Sequence, residues 1–227
     1  MKLSFQLIQS DQTSTVDVNI NSFIVAGWAG RDKDAIEHHI EELAELGVPR
    51  PSAVPLYYRI AANQLTQDTN VEVVGDGSSG EAEVFIFSHN GQALVSMVSD
   101  HTDRKLEAHS VALSKQLCVK PVADVAWAYD EVADHWDELV LRSWIEEDGA
   151  KVLYQEGPLA LLQPPLDLLQ GYFGNAQIPE HNGMACGTVG VIGKIRHAPT
   201  FTMELFDPRL ERSIKHRYTA SILPEVA

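Results

Sequence analysis

The stretch Gly80-Glu81-Ala82-Glu83-Val84-Phe85-Ile86-Phe87 sets two acids at alternate positions at the head of an apolar run. In a strand, residues i and i+2 share a face. Glu81, Glu83, Phe85 and Phe87 then line one face, and Ala82, Val84 and Ile86 the other. Two like charges leading into an apolar stripe are costly unless something positive lies between them. His89-Asn90-Gly91 separates this run from a second β-type run, Ala93–Asp100. Asn-Gly between two such runs is a strong hairpin signal. The returning strand ends with Asp100 near Glu81, so three carboxylates converge. Hard oxygen ligands of this kind suit Mg²⁺ or Mn²⁺, with waters or substrate oxygens completing the shell. The competing reading is a strand over a sheet edge with its glutamates in solvent.

Outward from the hairpin, strands dominate both ends of the chain. Lys2–Leu7 and Thr15–Ile20 alternate, joined by a polar turn at Gln9–Ser14, and Phe23–Trp28 is apolar. Asp32 or Asp34 can cap a helix running to about Leu46, closed by Gly47 and Pro49. Val54–Ala61 and Val71–Val74 read as short strands. Thr102–Leu117 reads as a helix and Val125–Glu131 as a short second one. Asp137–Glu147 and Lys151–Glu156 suggest a hairpin around Asp148-Gly149. A helix follows Pro164-Pro165, and Met184–Ile195, Thr200–Leu205 and Ser213–Ile222 read as strands. This order predicts an α+β, β-rich fold.

The 227 residues suffice for one core without disulfides. Cys118 and Cys186 match no zinc spacing, and a reduced cytoplasm is the simplest setting. No apolar run approaches the roughly 20 residues of a membrane span, and the first residues lack the pattern of a signal peptide. With 32 acids against 17 bases the net charge is −15. Such a surface repels phosphate backbones and anionic lipid, so neither nucleic acid nor membrane is an expected partner.

Taken together, these residues resemble the fumarylacetoacetate hydrolase superfamily, and most closely a small bacterial branch of it. That family carries Glu-x-Glu on a strand and a later Asp-x-[Ser/Thr]-x-Arg; Asp100-His101-Thr102-Asp103-Arg104 has that form. A family Lys precedes a Pro, as Lys115 precedes Pro121. Gly187-Thr188-Val189-Gly190-Val191-Ile192-Gly193 is similar to the family's Gly-Thr-Pro-x-Gly-x-Gly loop. His39-Ile40-Glu41-Glu42 is similar to the His-x-x-Glu of its mobile lid helix. The ordered set spans residues 39 to 193. Three departures stand out. The segment from Glu83 to Asp100 is short, Val189 replaces the loop Pro, and Tyr58-Arg59-Ile60 stands where Lys-Pro is usual.

The resemblance implies a mixed β-roll with flanking helices over 1–227, residues 1–50 giving N-terminal strands and the lid helix and 51–227 the catalytic roll. It implies Glu81, Glu83 and Asp100 as ligands of Mg²⁺ or Mn²⁺, with Ca²⁺ also accepted. It implies a hydrolase or lyase cleaving a C–C bond in an acylpyruvate-like or other 2-oxo or 1,3-diketo acid. Isomerisation or hydration of a related oxo acid, or small-molecule binding without turnover, are the alternatives. His39 and Glu42, at i and i+3, would form a base dyad, or belong to the polar face of the helix. Lys115 would meet a substrate oxygen, or be a solvated helix lysine. Thr188 would bind a carboxylate, or serve a structural turn. Arg59 would take the place of the lid Lys. Arg104 would clamp a carboxylate, or pair with Asp100 or Asp103. A homodimer is also implied.

Overall fold

The computed structural model describes residues 1–10, 12–45 and 50–226, and of these all side chains except His39, Glu42, Leu43 and Glu45. β1 (Lys2–Gln9) and β2 (Gln12–Asn19) pair antiparallel, and β3 (Ser22–Gly27) follows. α1 (Lys33–Glu45) begins at Asp32, whose carboxylate accepts the N–H groups of Asp34 and Ala35 at 3.0 Å. That satisfies two of the four donors a helix start leaves free. The expected stop at Leu46, Gly47 and Pro49 lies outside the described residues. β4 (Leu56–Ile60) returns beside β3, and β5 (Leu65–Thr66), β6 (Asn70–Val74) and β7 (Ser78–Ser79) are short.

β8 (Ala82–His89) and β9 (Gln92–Ser99) form the expected hairpin. Asn90 and Gly91 stand at φ 52° and 79°, the paired left-handed backbone of a two-residue type I′ turn. β10 (Thr102–Asp103), α2 (Arg104–Glu107), α3 (Val111–Leu117), β11 (Lys120–Pro121) and β12 (Val125–Ala128) come next. β13 (Val140–Glu147) and β14 (Ala150–Pro158) make a second hairpin, with Asp148 and Gly149 at φ 51° and 76°. α4 (Pro165–Phe173), β15 (Asn182–Ala185), β16 (Thr200–Asp207) and β17 (Arg212–Leu223) complete the chain.

Two sheets carry the fold. Eight strands run in the order β2-β1-β12-β9-β8-β15-β3-β4, and five in the order β14-β13-β16-β17-β6. Both are mixed: β1 with β12, β15 with β3, and β17 with β6 are parallel, among antiparallel neighbours. β8 lies inside the larger sheet and is buried along nearly its whole length. Its two faces enter different cores, as its alternation predicts. Ala82, Val84 and Ile86 join the core shared with the five-stranded sheet, against Leu141, Phe201, Met203 and Leu205. Phe85 and Phe87 point into a second core with Phe5, Phe23, Val25 and Leu94. Phe87 stacks on Phe5 with ring centroids 4.5 Å apart, although β12 and β9 separate their strands in the sheet. The sheet therefore rolls around that core, and the expected β-rich roll with flanking helices is the observed architecture.

Three expectations are corrected. Val125–Ala128 is a strand between β1 and β9, not a helix. It is buried on both faces, which erases the alternation that marks a half-exposed strand. Thr102–Leu117 is not one helix: α2 ends at Glu107, and Ser110 caps α3 by accepting the Leu113 N–H at 3.3 Å. Met184–Ile195 is strand only to Ala185, because Gly187 turns the chain at φ 89°. Among the described residues no helix is long and apolar enough to cross a membrane.

Candidate metal centre

The hairpin register sets the site. Ala82 pairs with Ser99, and the Asp100 N–H donates to the Glu81 carbonyl at 2.9 Å. Asp100 thus lands beside the head of β8, and carboxylate oxygens of Glu81, Glu83 and Asp100 lie within 4.8 Å of one another. Glu83 and Asp100 are buried, at 3% and 0% exposure. Glu83 accepts the Gly187 N–H at 2.9 Å. Burial, with Asp100 and Glu81 nearby, drives its carboxyl well above the ordinary glutamate range.

Positive side chains surround the acids. The Lys115 ammonium is 2.5 Å from Asp100 Oδ2 and 3.9 Å from Glu81. Lys120, fully buried, is 3.0 Å from Asp100 Oδ1 and donates to the His101 carbonyl at 2.5 Å. Burial disfavours the Asp100 carboxylate, but Lys115 and Lys120 outweigh it and hold its pKa below the usual value. Burial likewise works against the Lys115 ammonium, but Asp100 and Glu81 hold its pKa above the ordinary lysine value. Arg104 is 3.2 Å from Glu81 and 3.0 Å from Glu107, and donates to Ser79 Oγ at 2.8 Å.

The donor set fits a hard divalent cation. Three carboxylates converge within one cation's reach, and two of them, Glu83 and Asp100, are buried. Hard carboxylate oxygens gathered in this way suit a divalent cation.

Glu81, Glu83, Arg104 and Lys115 line one wall of a cavity of about 640 Å³, between the β3–α1 connection, α2, α3 and the loop after β15, with Asp100 and Lys120 buried behind it. Lys115, Arg104 and Thr188 line it. The Thr188 hydroxyl, however, donates to the Ala82 carbonyl at 2.7 Å and accepts from Gln155 Nε2 at 2.7 Å. It is engaged in holding the loop to the head of β8. Arg104 pairs with Glu81 and Glu107, not with Asp100 or Asp103; Asp103 instead caps α2 through the Leu106 N–H. Arg59 is not on the cavity. It is exposed on β4 and donates to the Tyr172 hydroxyl at 3.2 Å, while Tyr58, one position earlier and so on the other face, lines the cavity. The side chains of His39 and Glu42 lie outside those described. Cys118 and Cys186 are buried and free. His101 is a core residue, between Tyr218 and Ser78 at 2.8 and 2.9 Å.

Sequence reasoning misses two residues. Lys120 was visible as a lone lysine in the otherwise apolar run from Cys118 to Ala128, broken only at Asp124. Gln155 carried no such signal. Its amide is fully used, accepting from Ala82 N–H and Ser143 and donating to Thr188 and the Val189 carbonyl. Gln155 and Thr188 thereby grip the Ala82 peptide from both sides, between the two glutamates.

Residues 26–218 match the model of the family described as Protein of unknown function (DUF2848). The chain belongs to this family. Solved structures share its fold. A structure of 2-keto-3-deoxyarabinonate dehydratase superposes with TM-score 0.66 at 13% identity, covering 91% of this chain and 76% of that one. The same enzyme complexed with magnesium and 2,5-dioxopentanoate gives 0.64 at 13% identity, covering 91% and 75%. 4-Oxalocrotonate decarboxylase from Pseudomonas putida G7, complexed with calcium and acetate, gives 0.54 at 16% identity, covering 90% and 78%. No curated protein matches this chain by sequence.

Proposed function

We propose that this chain is a divalent-cation-dependent enzyme acting on a small 2-oxo acid, with Glu81, Glu83 and Asp100 as the cation's protein ligands. The convergence of three carboxylates, two of them on the wall of a cavity, carries the reading. The magnesium and calcium complexes of the solved neighbours support it. The reaction proposed is cleavage of a C–C bond in an acylpyruvate-like or other 2-oxo or 1,3-diketo acid, by hydrolysis or lysis. Isomerisation or hydration is the second reading, favoured by the likeness to a dehydratase.

A bound Mg²⁺, Mn²⁺ or Ca²⁺ would act as a Lewis acid toward the chelating oxygens of the substrate. The chain's own groups do the rest. Lys115, held as an ammonium by Asp100 and Glu81, would face a substrate carboxylate or carbonyl oxygen and stabilise developing negative charge. Arg104 fixes the rotamer of Glu81 through their ion pair. The Gly187 N–H and the Gln155–Thr188 clamp fix Glu83 and the strand between the glutamates. Hydrolysis also needs a base toward water. His39 with Glu42 is proposed for it, three positions along α1 from Ile36, which lines the cavity. The dimer, a cytoplasmic setting and one domain over 1–227 belong to the same proposal.

The test is a screen of 2-oxo and 1,3-diketo acids with Mg²⁺ or Mn²⁺, with Glu81→Ala as the blank. Turnover that needs the cation and vanishes in Glu81→Ala supports the reading. Turnover surviving His39→Ala contradicts its hydrolytic form, and no cation-dependent turnover of any acid contradicts the enzyme.

A further inference from the structure

The cavity is lopsided in its chemistry. Its charged residues form one connected wall: Glu81, Arg104 and Glu107 are ion-paired in series, and Lys115 joins Glu81 to Asp100. The remaining lining is largely apolar: Ala29 in the β3–α1 connection, Ile36 on α1, Val111 on α3, and Val189, Val191 and Ile195 in the loop after β15. The two loops meet. A Cβ at Gly187 would come within 2.8 Å of Ala29 Cβ, and one at Gly30 within 3.1 Å of Ile36. The apolar residues of the β3–α1 connection thus adjoin those of the loop after β15.

The polar side chains lining this space are already engaged. The Thr188 hydroxyl donates to the Ala82 carbonyl, Tyr58 is hydrogen-bonded to Trp28, and Arg104 is divided among Ser79, Glu107 and Glu81. The Gly187 N–H is bound to Glu83. Among the described residues, the polar side chains beside the apolar lining are engaged with the protein, so a substrate tail carrying hydroxyl groups would gain few new partners there, and a buried hydroxyl without a partner is costly. The volume, about 640 Å³, also lies well within the range that takes up drug-sized ligands, so a three-carbon acid would leave most of it to water.

We infer that the substrate of this chain is a 2-oxo acid bearing an apolar tail of several carbons, and not a polyhydroxylated sugar acid. The oxo-acid head faces the carboxylate and lysine wall, and the tail lies along Ile36, Val111 and the 187–195 loop. The inference rests on the function proposed above and narrows it. It separates this chain from the solved neighbour whose name specifies a deoxy sugar acid.

The test is equilibrium binding to the full chain loaded with Mn²⁺, read by calorimetry. The probes are 2-oxopentanoate, its 4,5-dihydroxy derivative, 2-oxohexanoate, 2-oxooctanoate and 4-phenyl-2-oxobutanoate. Affinity is expected to rise about three- to fourfold for each methylene added, as burial of a CH₂ group predicts. The dihydroxy acid is expected to bind at least about tenfold more weakly than 2-oxopentanoate. Ile36→Ser and Val191→Ser should each shrink the gain per methylene. Equal or tighter binding of the dihydroxy acid, or affinity flat with tail length, overturns the inference while the cation reading stands. Titration with Mn²⁺ alone separates the two: if no cation binds, the parent reading fails and this one falls with it.

Discussion

At the scale of single residues, the centre balances acids against bases within a few ångströms. Asp100 faces two ammonium groups, Lys115 at 2.5 Å and Lys120 at 3.0 Å. Lys120 touches neither the cavity nor solvent, so its effect on the site is electrostatic. Lys120→Met keeps the bulk and removes the charge. Cation affinity should rise by at least about tenfold, since a unit charge this close to a divalent ion is worth several kcal/mol even in a polarisable interior. Cation-free stability should fall by about 3–5 kcal/mol, the usual cost of breaking a buried pair. Calorimetric titration and urea unfolding read the two effects. Glu83 gives a pH dependence with a definite sign. Its folded pKa is raised, above 4.5, by burial and by Asp100 and Glu81. Between the unfolded and folded values the folded chain holds a proton that the unfolded chain has released. The cation-free protein therefore loses stability as pH rises from about 4.5 through that window. A cation must displace the same proton, so its affinity should rise over the same range and then level. Titrations at several pH values check this, and Glu83→Gln should remove the trend.

At the scale of elements, the β8–β9 hairpin brings Asp100 to Glu81, and its turn was legible. Asn90-Gly91 reads as a type I′ turn, and both residues adopt the left-handed backbone it needs. Gly91 at φ 79° has open space around a Cβ, so a side chain there meets backbone strain and no clash. Gly91→Ala should cost about 1–2 kcal/mol in unfolding free energy and leave cation affinity unchanged, because Ala82 to Ser99 still fixes the register. A large loss of cation binding would mean that the turn, and not the strand pairing, sets the site. The unread elements failed for identifiable reasons. β12 is buried on both faces, so Val125-Ala126-Trp127-Ala128 shows no alternation. The break between α2 and α3 rests on Ser110 acting as a cap, a weak signal inside a helical pattern. Arg59 was misplaced by one strand position, which in a strand moves a side chain to the other face; Tyr58 faces the cavity instead.

At the scale of the whole molecule, two cores meet across one sheet, and β8 contributes to both. The alternation of 82–87 revealed that division. The rolling of the sheet was not legible in local pattern, because it depends on Phe5 reaching Phe87 across strands remote in sequence. Phe87→Ala should destabilise the fold by about 3–5 kcal/mol, measured by urea unfolding. The carboxylates sit at the head of that strand, so the cavity depends on the roll being closed. The most direct measurement of the central claim is a titration of the purified, chelator-treated chain with Mn²⁺, followed by electron paramagnetic resonance. The account predicts one tight ion per chain, lost in Glu83→Ala and in Asp100→Ala variants that still unfold cooperatively. Saturable binding that survives both substitutions, or no tight ion in the native chain, would contradict it.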